Sequence, residues 1–306
     1  MKKTLLLLLT VLLLALSAGV HADEEYRFAV ADDDLSITQG LDKAWRNILL
    51  IGSDNRLDEE NQGRADALII CSLNKETGQI RLTSLSRDMH VKIAGQEFMD
   101  KINTAFRYGG PNLMMKTVNE LFGLNIEDYV SINFYGLCDM VDAIGGVELT
   151  LTRGERDEVN RSVVWGYGEA QGEGLPYGTG EMTLTLCGAQ ALAYARIRNL
   201  DSDFGRNQRQ RNVLMAIARR AGDLSAGEFL SLAKVCFEYI TTEMSFLELV
   251  SLGTSVLKGG LSDMKQLSLP AEGTYRYASI EGKSVLNFDL EDAKKRVHEF
   301  IYAEQE

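Results

Sequence analysis

The run Asn47-Ile48-Leu49-Leu50-Ile51-Gly52 sets four aliphatic residues side by side. Successive side chains of a strand point to opposite faces, so a strand with one wet face alternates, and a strand covered on both faces reads as an unbroken apolar run. This run therefore belongs to the middle of a sheet with material on both sides, which requires a layered architecture. The neighbouring pattern agrees. Residues 67–73 and 80–85 are apolar and flank the turn chemistry of Asn74-Lys75-Glu76-Thr77-Gly78, predicting a hairpin over 67–85. Residues 111–121 read as a helix with Pro111 in its first turn, 129–134 as a strand, 136–144 as a helix stopped by Gly145-Gly146, and 147–151 as a strand. Further helices are predicted near 188–197, 206–221, 226–240 and 245–258, short strands at 265–269 and 285–288, and a last amphipathic helix capped by Asp289. Strands alternating with helices predict one α/β/α layered domain around a central mixed sheet, spanning 46–303. A hydrophobic content of 45% with only three prolines suits such a core. Residues 153–180, rich in Gly, Glu and Arg, interrupt the pattern and read as a long surface excursion, a candidate lid.

At the N-terminus, Lys2 and Lys3 precede an uncharged, Leu-rich stretch over 4–20, and Val20-His21-Ala22 resembles a cleavage site followed by Asp23-Glu24-Glu25. Residues 1–22 read as a signal peptide or, uncleaved, as a membrane anchor; the stretch is slightly shorter than the roughly 20 residues a spanning helix needs. Either reading places the rest of the chain outside the cytoplasm. Residues 23–45, acidic and weakly patterned, read as a linker. The formal net charge of -12 excludes general nucleic-acid binding, which needs a basic surface. Cys71, Cys138, Cys187 and Cys236 are widely spaced beside apolar neighbours without a CxxC. They read as buried free thiols, with two disulfides as the alternative.

Asp54 lies just past the first buried strand and Asp66 just before the second. Strand pairing would bring the two carboxylates together, and such a pair suits Mg²⁺, which takes a few carboxylates and completes its shell with phosphate oxygens and water. Two aspartates that merely bound a loop are the plainer alternative. Residues 196–220 hold Arg196, Arg198, Arg206, Arg209, Arg211, Arg219 and Arg220 against only Asp201 and Asp203. In an acidic chain, so local a cluster points to a specific anion site, and the guanidinium fork suits phosphate. Arg211, Arg219 and Arg220 are assigned to a solvated helix face. Arg206, Gln210, Val213 and Ile217 share one face of the helix, polar at its N-terminal end and apolar beyond. An amphiphile with an anionic head would match that stripe, the helix N-terminus adding positive charge; a core-facing stripe with a polar end fits equally. Arg196 and Arg198, two residues apart, can serve one anion only if the preceding helix ends between Ala195 and Ile197.

Six blocks, taken in order, resemble the LytR-CpsA-Psr family. They are Asn47-Ile48-Leu49-Leu50-Ile51-Gly52-Ser53-Asp54; Gly63-Arg64-Ala65-Asp66; Leu85-Ser86-Arg87-Asp88; Lys101-Ile102-Asn103 with Tyr108-Gly109-Gly110-Pro111; Val141-Asp142-Ala143-Ile144-Gly145-Gly146-Val147; and Ala191-Leu192-Ala193-Tyr194-Ala195-Arg196-Ile197-Arg198 with Asp203-Phe204-Gly205-Arg206-Asn207-Gln208-Arg209-Gln210. The resemblance implies a phosphotransferase that moves a glycan phosphate from a polyprenyl-pyrophosphate carrier at the membrane surface onto peptidoglycan. It implies a deep apolar pocket for the lipid, with Val213 and Ile217 in its wall, and Mg²⁺ on Asp54 and Asp66. Arg64, Arg87, Arg196, Arg198 and Arg206 match the family's phosphate-binding arginines, with Lys101, Asp203 and Gln210 in or beside the site. Arg87, Arg196, Arg198 and Asp203 would serve the chemistry, and Asp88 and Asp203 are the candidate general bases. The alternatives are a lipid-pyrophosphate sensor or carrier without transfer activity, and a transcriptional attenuator. The chain departs from the family pattern at Leu186-Cys187-Gly188, which bears on a helix start, and over 153–180, which matches poorly. Family members also usually keep an uncleaved membrane helix.

Overall fold

The computed structural model describes residues 27–54, 63–164, 173–201, 203–259 and 264–303; the stretch 1–22, read above as a signal peptide or membrane anchor, lies outside them. The strands are β1 (Trp45–Ser53), β2 (Ala65–Asn74), β3 (Ile80–Leu85), β4 (His90–Lys92), β5 (Met99–Lys101), β6 (Asp128–Asn133), β7 (Val147–Leu151), β8 (Met182–Leu186), β9 (Ile240–Thr241), β10 (Lys265–Leu269), β11 (Tyr275–Ile280) and β12 (Lys283–Phe288). The helices are α1 (Thr104–Phe122), α2 (Phe134–Ala143), α3 (Arg153–Val164), α4 (Gly188–Ala195), α5 (Asp203–Gly222), α6 (Ala226–Phe237), α7 (Phe246–Gly259) and α8 (Leu290–Tyr302).

Six strands form the central sheet in the order β10-β3-β2-β1-β6-β9. It is mixed, as the sequence predicts: β1 runs antiparallel to β2 and parallel to β6, and β10 runs parallel to β3. On one face Leu49 and Ile51 of β1 and Leu68 and Ile70 of β2 join Leu113, Val118 and Phe122 of α1 and Val297 and Ile301 of α8 in the main core. Each fully buried side chain of this kind stabilises the fold by roughly 1.5–3 kcal/mol. On the opposite face Leu50 and Ile69 meet Leu214 of α5 and Leu252 and Val256 of α7. The unbroken run of β1 therefore has apolar surroundings on both sides, and the layers are α/β/α.

Three expectations are corrected. Residues 153–180 are not an irregular excursion from their start: α3 occupies Arg153–Val164, and Val159 and Val163 pack with β7, β8 and α4 in a second core. Arg156, 1% exposed, donates to the carbonyls of Leu151, Gly178 and Gly180 at 2.9–3.0 Å. A helix held by so few apolar residues and one buried arginine leaves little apolar period to read. The strand predicted at 147–151 is present as β7, paired with β8 in a separate hairpin outside the central sheet. The linker reading of 23–45 fails over 27–44: Leu35 is buried, its carbonyl accepts from Asn119 at 2.8 Å, and Phe28 donates its N–H to Tyr108 at 2.8 Å. Single apolar anchors in an acidic stretch have no periodicity to reveal them. Helix α1 starts earlier than 111 and is broken at Gly109 and Gly110, the latter at φ 64°, so Pro111 does stand at the start of a helical segment. A Cβ on Gly109 would lie 2.2 Å from the Phe28 carbonyl oxygen, so the docked segment needs glycine there.

Candidate functional site

The site begins where β1 and β2 end. Their register runs regularly to Gly52↔Ala67 and then shifts, so that Ser53 pairs with Ala65 and Asp66 is left over as a β-bulge. In regular register Asp66 would share the face of Leu68 and Ile70, which is core. The bulge gives that side to Ala65, fully buried, and turns Asp66 to the opposite side. Asp54 follows β1 at the same end; its N–H donates to the Arg64 carbonyl at 3.1 Å, and its carboxylate accepts from the Arg64 N–H.

Asp66 is the hub. One carboxylate oxygen accepts from Arg87, the other from Arg198 at 3.2 Å, and its backbone carbonyl accepts from Gln210 at 3.3 Å. Arg87 also lies 3.5 Å from Asp88, whose other oxygen accepts from Lys101 at 2.6 Å. Burial alone would depress the Arg87 guanidinium, but Asp66, Asp88 and Asp203 outweigh it and raise it above the usual arginine range. Helix α4 ends at Ala195, as the arginine spacing requires, with Arg196 at its C-cap and Arg198 beyond it. The Arg196 guanidinium lies 4.1 Å from the centre of the Phe134 ring, a cation–π contact.

Arg206 is the exception among these cations. It is 2% exposed, and none of its three guanidinium nitrogens makes a hydrogen bond. Asp203 comes within 2.8 Å of one of them but off the N–H directions needed for a bond. Burial first, and then the nearby Arg87, hold Arg206 below the usual arginine range. A buried cation with unmet donors, pressed by a like charge, is in the state that an incoming anion relieves.

From this end a cavity of about 210 Å³ runs under α5. Asp66, Arg196, Arg198, Arg206 and Gln210 stand at its polar end, and Val213, Leu214 and Ile217 continue along the helix with Leu50, Val130 and Leu137 opposite. The stripe read from the sequence thus lines a cavity, with Val213 and Ile217 also packed against the second core. Arg64 is exposed and absent from the lining, and Lys101 stands behind Asp88, reaching the site only through it. Arg211 corrects the solvated-face reading: it is 5% exposed and bonds Ser84, Gln266, Ser268 and Gln208. Arg209 is equally buried between Glu155 and Asp201. Sequence reasoning missed the far wall, Leu50, Val130, Ile132, Leu137 and Met140, because nothing in a one-dimensional pattern separates a cavity wall from a core. The departure at Cys187 is harmless: its N–H donates to Gln190 at 3.0 Å, Gly188 donates to Asp142 at 2.7 Å, and α4 starts normally.

Fold and site thus define an α/β protein with an apolar cavity that opens on Asp66 and a cluster of arginines. Residues 14–299 match the LytR_cpsA_psr family, and the chain belongs to it. It is 32% identical over 291 residues, covering 89% of this chain and 88% of the relative, to the polyisoprenyl-teichoic acid–peptidoglycan teichoic acid transferase TagU of Bacillus subtilis. It is 37% identical over 198 residues to the protein of the same name from Oceanobacillus iheyensis, covering 61% of this chain and 56% of that one. Among solved structures, the crystal structure of Bacillus subtilis TagV superposes with a TM-score of 0.68 at 25% identity, covering 87% of this chain and all of that one. TagT bound to LI-WTA superposes at 0.70 with 24% identity over 92% and 99% of the two chains, a likeness of fold.

Proposed function

We propose that this chain transfers a glycan phosphate, of the teichoic acid class, from a polyprenyl-pyrophosphate carrier onto peptidoglycan outside the cytoplasm. The observation that carries the reading is Arg206: a buried guanidinium without hydrogen bonds at the head of an apolar cavity suits a ligand with an anionic head and a greasy tail. The names of the relatives supply the polymer and the acceptor. Membrane-borne donor and wall acceptor agree with reading 1–22 as an export signal.

In this reaction an acceptor hydroxyl oxygen attacks the phosphorus that carries the glycan. The bond from that phosphorus to the bridging oxygen breaks, and lipid phosphate leaves with the electron pair. The hydroxyl proton goes to a carboxylate, for which Asp88 and Asp203 are the candidates. Arg206, Arg196 and Arg198 hold the pyrophosphate, and Arg87, fixed by Asp66 and Asp88, faces the same charge. Such transfers leave little covalent chemistry to the protein and much electrostatic stabilisation. Arg64, exposed at the rim, would guide the anion inward.

Asp54 and Asp66 fit Mg²⁺ by donor chemistry: two hard carboxylates at one sheet end, with room in the shell for phosphate oxygens and water. Among the described residues no third His, Cys, Asp or Glu converges with them, so the substrate would complete the shell. The ion would supply charge neutralisation on the pyrophosphate. The test is incubation with a lipid-linked oligosaccharide, peptidoglycan and Mg²⁺, with and without a chelator, on the wild type and on Asp54→Ala and Asp66→Ala. Glycan joined to peptidoglycan by a phosphodiester, lost on chelation and in both variants, is the expected result. Lipid binding without any product would make the chain a carrier or sensor. Full transfer in folded variants would remove the ion from the mechanism.

A further inference from the structure

Beside the arginine cluster stands a row of aromatic rings that the reaction above does not use. Phe204 follows Asp203 in the first turn of α5 and stacks on Tyr275 of β11, with ring centres 4.9 Å apart and planes at 25°. Tyr277 lies two residues along β11, hence on the same face, and meets Tyr275 edge-on at 5.7 Å and 86°. The hairpin is fixed against the site. Tyr277 pairs with Leu286 of β12, and the Leu286 N–H donates to the Asp88 carbonyl at 2.8 Å. Lys283 at the hairpin turn reaches Asp100 at 3.1 Å. One end of the row therefore adjoins Asp203 and the other is tied to the segment carrying Arg87 and Asp88. Tyr277 is 57% exposed, so most of it serves no packing. Its phenol is held above the usual tyrosine range by partial burial first, then by the fields of Asp203, Tyr275 and Asp88, which places it within reach of the same charges.

We infer that Phe204, Tyr275 and Tyr277 form a carbohydrate subsite in which a pyranose ring of the glycan substrate stacks on Tyr277. The inference rests on the phosphotransfer reading and extends it to sugar recognition. One face of a pyranose presents C–H groups that are apolar and slightly positive, matching the negative face of an aromatic ring. The equatorial hydroxyls remain in water or turn toward the Tyr277 phenol and the carboxylates. The two lower rings, stacked and anchored, hold Tyr277 in place and limit the conformational entropy lost on binding. The sugar could belong to the donor, next to its phosphate, or to the peptidoglycan acceptor; both present the same C–H face.

The test uses the full-length protein and three variants, Tyr277→Ala, Tyr277→Leu and Tyr277→Phe, with thermal unfolding to verify the fold. The probes are a short-chain polyprenyl pyrophosphate without sugar, the same lipid bearing a disaccharide, and peptidoglycan in a transfer assay. The sugar-free lipid should bind all four proteins alike. Tyr277→Ala and Tyr277→Leu should either weaken the disaccharide lipid or raise the acceptor KM by about 3- to 10-fold, whereas Tyr277→Phe should stay near the wild type. A loss confined to the disaccharide lipid assigns the subsite to the donor, and one confined to acceptor KM assigns it to the wall glycan. Wild-type values for Tyr277→Ala in both assays, or a Tyr277→Phe loss as large as that of Ala, would overturn the stacking subsite while leaving phosphotransfer intact. Failure of the wild type to bind the sugar-free lipid would instead defeat the phosphotransfer reading, and the subsite with it.

Discussion

Arg206 and Arg211 leave helix α5 five positions apart and are buried to a similar depth, 2% and 5% exposed, in opposite surroundings. Arg211, with Arg209, belongs to the sides of the helix that meet protein. Its Nε donates to Gln266 at 2.8 Å, its Nη1 to Ser84 at 2.6 Å and to Ser268 at 2.9 Å, and its Nη2 to Gln208 at 2.5 Å, which ties the helix to β3 and β10. Arg206 belongs to the cavity side and makes no hydrogen bond, its ion-pair contact being with Asp203 one turn back at 2.8 Å. The same residue type, helix and degree of burial thus give a rivet in one direction and a binding group in the other. What separates them is whether the surrounding polar atoms are already spoken for.

This comparison is broken or sharpened by substitution along the one helix. The largest effect on stability is expected at Arg209→Ala, which strands the shielded Glu155 carboxylate and releases the exposed Asp201. Urea denaturation should show a loss of about 1.5–3 kcal/mol, and a loss below about 0.5 kcal/mol would deny the structural role. Arg206→Met should move in two directions at once. Transfer should fall by about 10- to 150-fold, the weight of one charge-assisted contact, while stability holds or rises, because a buried cation without hydrogen bonds is removed. A variant as destabilised as Arg209→Ala would make Arg206 a rivet after all. Arg198, half exposed, should lose about tenfold in single-turnover transfer on Arg198→Ala, and less in lipid affinity, since part of its contact strengthens only as charge develops. Equal losses in both would reduce it to a binding residue. The smallest change is expected at Arg219→Ala, an exposed position of the same helix: unfolding free energy within about 0.5 kcal/mol and unaltered transfer.

The sequence carried the parts of the structure that depend on local order. The strand run at 47–52, the hairpin of β2 and β3 and the stripe Arg206-Gln210-Val213-Ile217 follow from periodicity and spacing, and all are present, while the helix predicted near 188–197 is present as α4 and ends at Ala195. What it concealed depends on distant pairing. Arg211 looked solvated because its partners Ser84 and Ser268 lie 127 and 57 residues away. Helix α3 was hidden because a buried arginine stands where a leucine would have declared the period. The aromatic row joins Phe204 to Tyr275 and Tyr277, more than seventy positions on, and no single segment announces it. The cavity itself could be named only as an alternative to a solid core, since an apolar side chain looks the same to the sequence whether its neighbour is a leucine or empty space.

The bulge at Asp66 gives the chain a parity. From Ala67 onward β2 alternates in one phase, and at Ala65 the single extra residue resets it. Deleting one residue here would let the hydrogen-bond ladder close without a break, and the sheet would keep its strands and their order. The carboxylate, however, would change sides and meet Leu68 and Ile70, while Arg87, Arg198 and Gln210 would lose their common partner. An error of length would thus do what no substitution at Asp66 could: keep the aspartate and misplace its charge. At this strand end the number of residues, and not their identity alone, decides which side of the sheet receives the charge.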